Sequence, residues 1–159
     1  MMKENSTVYV LDTSAWLTFI EDELGADLVQ DILESASAGS VEILVSFMTF
    51  MEVFYITLQE RDIKEAQTRL RLMASLPITR VESTVSLSTV AGRLKALHHM
   101  SVADAWIAAL AQEKSATLVH KDPEFEQIEN VLQMLIYEPF SSSKHSGVRG
   151  IRQGNGPLG

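Results

Sequence analysis

The sequence contains no cysteine, and this absence excludes several kinds of chemistry at once. A chain without thiols forms no disulfide and offers no thiolate as a nucleophile or metal ligand. Four histidines are present, but they lack a metal-binding spacing such as His-x-x-x-His, and we expect them to be mostly solvated: His98, His99, His120 and His145. A metal ion would therefore need oxygen ligands above all.

Long apolar runs are also missing. No run of about 18 or more uncharged apolar residues occurs, and the N-terminus lacks the basic and then apolar pattern of a signal peptide. We therefore expect a cytoplasmic protein that does not contact a membrane. The length of 159 residues and the hydrophobic content of 46% suit one globular domain with a substantial core.

Positive charge is scarce in most of the chain. All 21 acidic residues precede position 140, where only ten of the 13 Lys and Arg residues lie, so this part has a formal charge of −11. Such a surface is a poor general binder of nucleic acid, whose phosphates attract Lys and Arg. Beyond position 140 the charge is +3, and Ser, Gly and basic residues dominate. We therefore predict a folded domain over residues 1–140 and a flexible basic tail over residues 141–159.

What the chain does contain is an alternation of strand and helix patterns, without internal repeats or a glycine-rich phosphate loop. Short β-rich runs are followed by amphipathic or small-residue helices, which predicts an α/β fold with a parallel sheet and helices on both faces. The helix at 47–59 is apolar almost all round, so we expect it to be buried. The predicted strands cover residues 7–11, 41–45, 78–81, 117–119 and 131–136.

Four acidic side chains occupy positions that would border one edge of this sheet. Asp12 ends the first strand, and Asp122 follows a later strand directly. Asp104 lies at the start of a helix of small residues, and Glu52 is the only charged residue of helix 47–59. Ligands bind beyond the carboxyl ends of parallel strands, where helices on the two faces leave a crevice.

If these carboxylates meet in that crevice, their mutual repulsion amounts to several kcal/mol per pair at ~4 Å and an intermediate dielectric. A divalent cation would relieve this repulsion. Oxygen-only ligands favour Mg²⁺ or Mn²⁺, which bind through a few carboxylates and retained waters. The sequence therefore predicts a metal site at this edge of the sheet.

Each carboxylate also has a purely structural explanation. Asp12 and Asp122 are placed to cap the helix that follows each of them. Asp104 completes a capping-box pattern with Ser101, and Glu52 would fit a narrow exposed stripe of its helix. The two explanations are compatible, because a helix start can also orient a carboxylate outward.

The order of these motifs resembles that of the PIN-domain ribonucleases, particularly the toxins of VapBC toxin–antitoxin pairs. The resemblance covers residues 8–136. In two places the sequence departs from the family, which usually has Thr or Ser where His120 stands and often Asp where Glu124 stands. Four segments carry the resemblance: Val-Leu-Asp12-Thr-Ser14, Met-Thr-Phe-Met-Glu52-Val, Ser101-Val-Ala-Asp104-Ala-Trp-Ile-Ala-Ala and Asp122-Pro-Glu124-Phe125.

This resemblance implies a three-layer α/β/α fold with a five-stranded parallel sheet. It also implies Mg²⁺- or Mn²⁺-dependent hydrolysis of single-stranded RNA, neutralisation by a cognate antitoxin, and a homodimer. The expected metal ligands are Asp12, Asp104 and Asp122, with Glu52 as a further ligand or as the group that orients the attacking water. Ser14 is expected to hydrogen-bond a carboxylate or the scissile phosphate, and Glu124 to be an additional acidic group.

Two other functions stay open at this point. One is a catalytically silent binding module, in which the carboxylates serve only structure or a protein partner. The other is an aspartate-dependent phosphatase or receiver-like domain, although Thr13-Ser14-Ala15 lacks the second acidic residue that such proteins have beside the first. For an RNA substrate, the candidate backbone contacts are Arg69, Arg71, Lys121 and the basic tail.

Overall fold

The computed structural model describes residues 6–128 and 132–136. They form five strands, six α-helices and one 3-10 helix. In chain order the elements are β1 Thr7–Leu11, α1 Thr13–Ile20, α2 Ala26–Ser37, β2 Val41–Ser46, α3 Phe47–Glu60, α4 Ile63–Ser75, β3 Thr79–Val81, α5 Val85–Leu97, α6 Val102–Glu113, β4 Thr117–His120, the 3-10 helix Pro123–Ile128 and β5 Gln133–Ile136. Within these residues no helix is both long and apolar enough to span a membrane.

The five strands form one sheet in the order β3-β2-β1-β4-β5, and every neighbouring pair is parallel. Consecutive residues of β1 point to opposite faces, as the period of a strand requires. Val10 joins the core that α5 and α6 cover, and Leu11 joins the core beneath α1, α2, α3 and α4. The predicted three-layer fold with a five-stranded parallel sheet is therefore confirmed.

The topology fixes where a crevice opens. The chain builds the sheet outward from β1 through β2 to β3, and then returns to place β4 and β5 on the other side of β1. The crossovers therefore reverse direction between β1 and β4, and ligands bind at such a switch point, beyond the carboxyl ends of the two strands. Asp12 and Asp122 follow those ends directly.

Helix α3 is not buried all round, contrary to the prediction from its composition. It buries a narrow face that includes Phe50 and Val53, whereas Met51, Tyr55 and Leu58 are 50%, 40% and 42% exposed. The reason is that α3 covers one side of the sheet beside α4, and no other described element packs on its outer face. The sequence pattern identified the apolar residues of this helix, but it did not show which of them another element covers.

Two further predictions about polar residues are wrong. Arg69, proposed as an RNA contact, is 4% exposed and pairs with Glu21 at 3.3 Å and Glu65 at 3.2 Å. Its guanidinium also donates to the Thr57 hydroxyl, so it joins α4 to α3 and to the end of α1 instead of facing solvent. His120 is 1% exposed, because β4 continues into the core and the ring packs edge-on against Phe125.

The remaining predictions about histidines and the tail are only partly covered by the described residues. His98 is partly exposed and His99 is exposed, as expected for solvated side chains. His145 and the predicted tail at 141–159 lie outside the described residues. The domain boundary at residue 140 therefore stays a prediction.

Candidate functional site

Asp12 lies at the centre of the crevice, at the junction of β1 and α1. Its carboxylate caps α1 by accepting a hydrogen bond from the Ala15 backbone N–H at 2.9 Å. The structure thus has Asp12 in the helix-capping role that the sequence predicted. Its own backbone N–H donates to the Val119 carbonyl of β4 at 3.2 Å. The residue is only 2% exposed. Asp12 is therefore both a helix cap and a carboxylate held rigidly where β1 and β4 end.

Ser14 connects the two strand ends. Its hydroxyl lies 2.7 and 3.0 Å from the two carboxylate oxygens of Asp12 and donates to that carboxylate. The same hydroxyl accepts a hydrogen bond from the Lys121 backbone N–H at 2.9 Å. This double role fixes the position of the segment that precedes Asp122 relative to Asp12.

Glu52 reaches the crevice from α3. The Thr13 hydroxyl donates to the Glu52 Oε1 atom at 2.7 Å, which joins the start of α1 to the second turn of α3. Thr13 itself is 8% exposed, and Glu52 is partly buried. Sequence reasoning did not identify Thr13 as part of the site, because a contact between residues 39 positions apart leaves no local signal.

Asp104, Asp122 and Glu124 form the other side of the crevice. Each of them offers a carboxylate oxygen, and these three atoms all lie within 4.8 Å of one another. Asp122 also accepts a hydrogen bond from the Glu124 backbone N–H at 2.9 Å, which turns the chain into the 3-10 helix. Because Asp104 comes from the start of α6 and the other two follow β4, the cluster joins two distant parts of the chain.

The start of α6 departs from the predicted capping box in an informative way. The Ser101 hydroxyl accepts from the Asp104 backbone N–H at 3.1 Å, as that motif requires. The reciprocal contact is different, since the Ser101 backbone N–H donates to Glu124 Oε2 at 3.4 Å instead of to Asp104. Glu124 thereby takes over the capping contact, and the Asp104 carboxylate is left for the cluster.

The electrostatics of Asp12 and Glu52 show that the carboxylates act on one another. Burial raises the pKa of Asp12 to about 7, although the hydrogen bonds from Ala15 and Ser14 lower it, and the charge of Asp122 raises it further. Burial also raises the pKa of Glu52, against the lowering effect of the Thr13 hydroxyl, and the charge of Asp122 adds to the increase. Both acids are thus within electrostatic reach of Asp122.

Asp104 and Glu124 shift each other's pKa in opposite directions. Burial and a hydrogen bond to Glu124 raise the pKa of Asp104 to about 8, and the charges of Asp122, Glu124 and Glu52 add to this. The same hydrogen bond lowers the pKa of Glu124. The four predicted carboxylates and Glu124 therefore form one electrostatic unit. Burial is the main cause of the raised pKa values of Asp12, Glu52 and Asp104, and the repulsion between the carboxylates adds to it.

No basic side chain neutralises this unit within residues 6–128 and 132–136. The ion pairs found there belong to Arg69 and Arg80, and neither is made with a carboxylate of the crevice. Lys121 directs its ammonium group to the Thr18 hydroxyl at 3.3 Å and the Leu24 carbonyl at 3.5 Å. Lys95 lowers the pKa of Glu124, but less than the hydrogen bonds of that residue do.

The donor set therefore fits a divalent cation. Several carboxylate oxygens converge, two of the acids have pKa values raised to about 7 and about 8, and no basic side chain of the described residues forms an ion pair with them. Oxygen ligands of this kind suit Mg²⁺ or Mn²⁺. The structure thus brings together Asp12, Glu52, Asp104, Asp122, Ser14 and Glu124, while their roles in binding and catalysis stay predictions.

One family model matches most of the chain. The model of the PIN domain matches residues 9–131 of the chain. No curated protein matches the chain significantly in sequence.

Several solved structures share the fold. One is a chain of VapBC2 from Rickettsia felis, whose crystal structure contains a DNA fragment from the VapBC2 promoter. It is 20% identical to this chain with a TM-score of 0.68, and the match covers 83% of this chain and 100% of that one. A chain of DNA-bound VapBC from Salmonella typhimurium is 16% identical with a TM-score of 0.66, covering 82% and 98%. VapC20 from Mycobacterium tuberculosis, a sarcin-ricin loop cleaving toxin, is 14% identical with a TM-score of 0.60, covering 75% and 93%.

Proposed function

This chain belongs to the PIN-domain family, and on that premise we propose that it is a metal-dependent endoribonuclease, the toxin of a toxin–antitoxin pair. Its substrate is single-stranded RNA, and the reaction is hydrolysis of a phosphodiester bond. One observation carries the proposal: carboxylate oxygens of Asp104, Asp122 and Glu124 lie within 4.8 Å of one another, and no described basic side chain forms an ion pair with them. Asp12 and Glu52 lie within electrostatic reach of this cluster through Asp122. Such a unit is costly unless a divalent ion occupies it.

Asp12, Asp104 and Asp122 would hold Mg²⁺ or Mn²⁺ directly or through water, with Glu124 beside them. The chemistry supplied by a bound divalent ion is a lowered pKa of coordinated water and an offset of the negative charge that builds on the phosphoryl oxygens. A bound ion is also the local positive charge that the acidic body needs in order to attract a phosphate.

The residues of the chain have separate tasks in this reaction. The Ala15 N–H donates to one oxygen of the Asp12 carboxylate, and the Ser14 hydroxyl contacts both oxygens, so that the carboxylate does not turn away from the crevice. Glu52 orients the attacking water and accepts its proton, a task that suits an acid whose pKa is raised by burial. The products would be a 5′-phosphate and a 3′-hydroxyl, as the resemblance to the family implies.

Membership of the family also suggests protein partners, namely a cognate antitoxin and a second copy of this chain. Structural neighbours of the chain come from VapBC complexes, and this supports the proposal of a cognate antitoxin. The outer face of α3, formed by Met51, Tyr55 and Leu58, provides exposed apolar surface for an antitoxin or for the proposed homodimer. The proposed site of action is the cytoplasm.

The phosphatase or receiver alternative has less support. Such proteins have a second acidic residue beside the first, whereas Asp12 is followed here by Thr13 and Ser14. The hydroxyls of these two residues donate to Glu52 and Asp12. Metal binding distinguishes the nuclease from the catalytically silent binding module, because only the nuclease requires a bound metal ion.

The test combines metal removal with charge-neutralising variants. Asp12→Asn and Asp104→Asn should each lower Mg²⁺-dependent cleavage of total RNA by at least about 10²-fold, since each removes a carboxylate from the metal site. EDTA should stop cleavage by the wild-type protein, and Mn²⁺ should restore it. Asp31→Asn, at an exposed position of α2, is the matched control and should leave cleavage unchanged.

Two results would contradict this function. Cleavage that survives in both Asp12→Asn and Asp104→Asn would place the reaction elsewhere. A folded wild-type protein that neither binds Mg²⁺ in calorimetry nor cleaves RNA would be a silent binding module.

A further inference from the structure

The contact between Thr13 and Glu52 assigns a task to a residue for which the resemblance to the family implied no role. Thr13 is the first residue of α1, and its hydroxyl donates to Glu52 Oε1 at 2.7 Å. We propose that Thr13 is the positioning residue of Glu52, committing one carboxylate oxygen to itself so that the other serves the reacting water. This inference rests on the proposed nuclease function.

Rigidity on one side of this contact explains why it positions Glu52. Thr13 is β-branched, 8% exposed and directly follows Asp12, whose backbone is bonded to β4, so its hydroxyl is held in place. Glu52 has a long side chain on the partly exposed helix α3, and it samples several rotamers unless an anchor removes that freedom. The hydrogen bond supplies such an anchor.

The contacts of Asp12 and Ser14, on either side of Thr13, also support a positioning role for this segment. Asp12 faces the crevice, and the Ser14 hydroxyl binds both Asp12 and the Lys121 backbone N–H. The Asp12-Thr13-Ser14 segment therefore makes one contact to the segment after β4 and one to α3, at a single strand end. Three consecutive residues thereby set the relative positions of groups that come from β1, α3 and the segment after β4.

The hydrogen bond from Thr13 also affects the charge of Glu52. A hydrogen bond to the carboxylate favours its ionised form and lowers the pKa of Glu52, while burial and the charge of Asp122 raise it. Thr13 thereby opposes the protonation of Glu52 in a crowded acidic site.

The experiment measures kcat and KM for cleavage of a single-stranded RNA oligonucleotide with Mg²⁺. Thr13→Val keeps the shape of the side chain and removes the hydroxyl, so kcat should fall about tenfold to hundredfold while KM changes by less than about twofold. Thr13→Ser retains the donor and should restore most of kcat. Thr13→Ala serves as a second deletion of the hydroxyl if the valine variant is poorly folded.

A double-mutant cycle tests whether Thr13 acts through Glu52. In a Glu52→Gln background, under single-turnover conditions with excess enzyme, Thr13→Val should cause little or no further loss. Thr49→Val is the matched control, because Thr49 is buried on the same helix as Glu52 and its hydroxyl has no hydrogen-bond partner in the described structure. That variant should keep wild-type kcat.

Four outcomes overturn the assignment. They are wild-type kcat in folded Thr13→Val, failure of Thr13→Ser to restore kcat, a full additional loss from Thr13→Val in the Glu52→Gln background, and an equal loss from Thr49→Val. In each case the wild-type enzyme still cleaves RNA, so the proposed function stands. Absence of cleavage by the wild-type protein overturns the proposed function and this role with it.

Discussion

At the scale of single residues, capping a helix and serving a functional site are not alternatives in this protein. Asp12 caps α1 through the Ala15 N–H and still faces the crevice. At α6 the two tasks are divided, because Glu124 takes the Ser101 N–H and leaves Asp104 for the cluster. A sequence pattern for a cap therefore does not count against a functional role.

Ser14 offers the sharpest prediction at this scale. Ser14→Ala removes the hydroxyl that donates to Asp12 and accepts from Lys121, and it should weaken Mn²⁺ binding about tenfold to hundredfold, as is usual when the partner of a metal ligand is lost. The loss has two causes, since the hydrogen bond both orients Asp12 and lowers its pKa. Calorimetric titration at pH 7.5 measures the affinity.

Ser88→Ala, at an exposed position of α5, is the control and should bind Mn²⁺ like the wild-type protein. Equal affinities for Ser14→Ala and wild-type protein would show that Asp12 needs no support from this hydroxyl.

At the scale of the elements, helix starts determine where the site carboxylates lie. Asp12 precedes α1, Asp104 is the third residue of α6, and Asp122 precedes the 3-10 helix. A helix start also presents free N–H groups and the positive end of the helix dipole, which favours carboxylates there. The site is thus assembled mainly from strand ends and helix starts, and Glu52 is the exception that comes from within a helix.

The cap of α6 provides a matched pair of variants at this scale. Ser101→Ala should lower the free energy of unfolding by about 1 kcal/mol, because the Asp104 N–H loses its acceptor. Thr84→Ala removes the corresponding cap of α5, where the hydroxyl accepts from the Leu87 N–H, and should cost a similar amount. Urea denaturation measures both changes.

The two variants should differ in Mn²⁺ affinity. Only Ser101 lies beside Asp104 and Glu124, so Ser101→Ala should weaken binding while Thr84→Ala should not. Equal affinities in the two variants would mean that the α6 cap stabilises the helix without orienting the cluster.

At the scale of the whole molecule, the acidic crevice couples folding to pH and to metal. Folding raises the pKa of Asp12 from 3.8 to about 7 and that of Asp104 from 3.8 to about 8. Between the unfolded and folded values the native state binds more protons than the unfolded chain, so the free energy of unfolding falls as pH rises. The contribution of these protons is fully present below pH 4 and is lost by about pH 8.

We therefore expect the metal-free protein to be less stable at pH 8.5 than at pH 6, by up to roughly 4 kcal/mol. Asp12 contributes over about one pH unit of this range and Asp104 over about two, and one unit corresponds to about 1.36 kcal/mol. Mg²⁺ should remove most of this difference, because it replaces the protons and binds only the folded site. Urea denaturation at both pH values, with EDTA or with Mg²⁺, measures the effect. Asp104→Asn should show a smaller difference in EDTA, and an identical difference would contradict the assignment of these protons to the crevice.

The sequence by itself determined the alternation of strands and helices, because the periods of buried residues differ between the two. It also determined the candidate acids Asp12, Glu52, Asp104 and Asp122, since ionisable residues beside apolar segments are few. Neither conclusion needed any knowledge of contacts between distant residues.

Only the tertiary structure decided which side chains meet. Thr13 on Glu52, Glu124 at the start of α6, Arg69 between two glutamates and the exposed face of α3 all depend on how separate elements pack. Local sequence reports periodicity and caps, whereas a contact between residues that are tens of positions apart is fixed by the order and direction of the strands. The candidate acids could therefore be identified from the sequence, but the hydrogen bonds that hold them in one crevice could not.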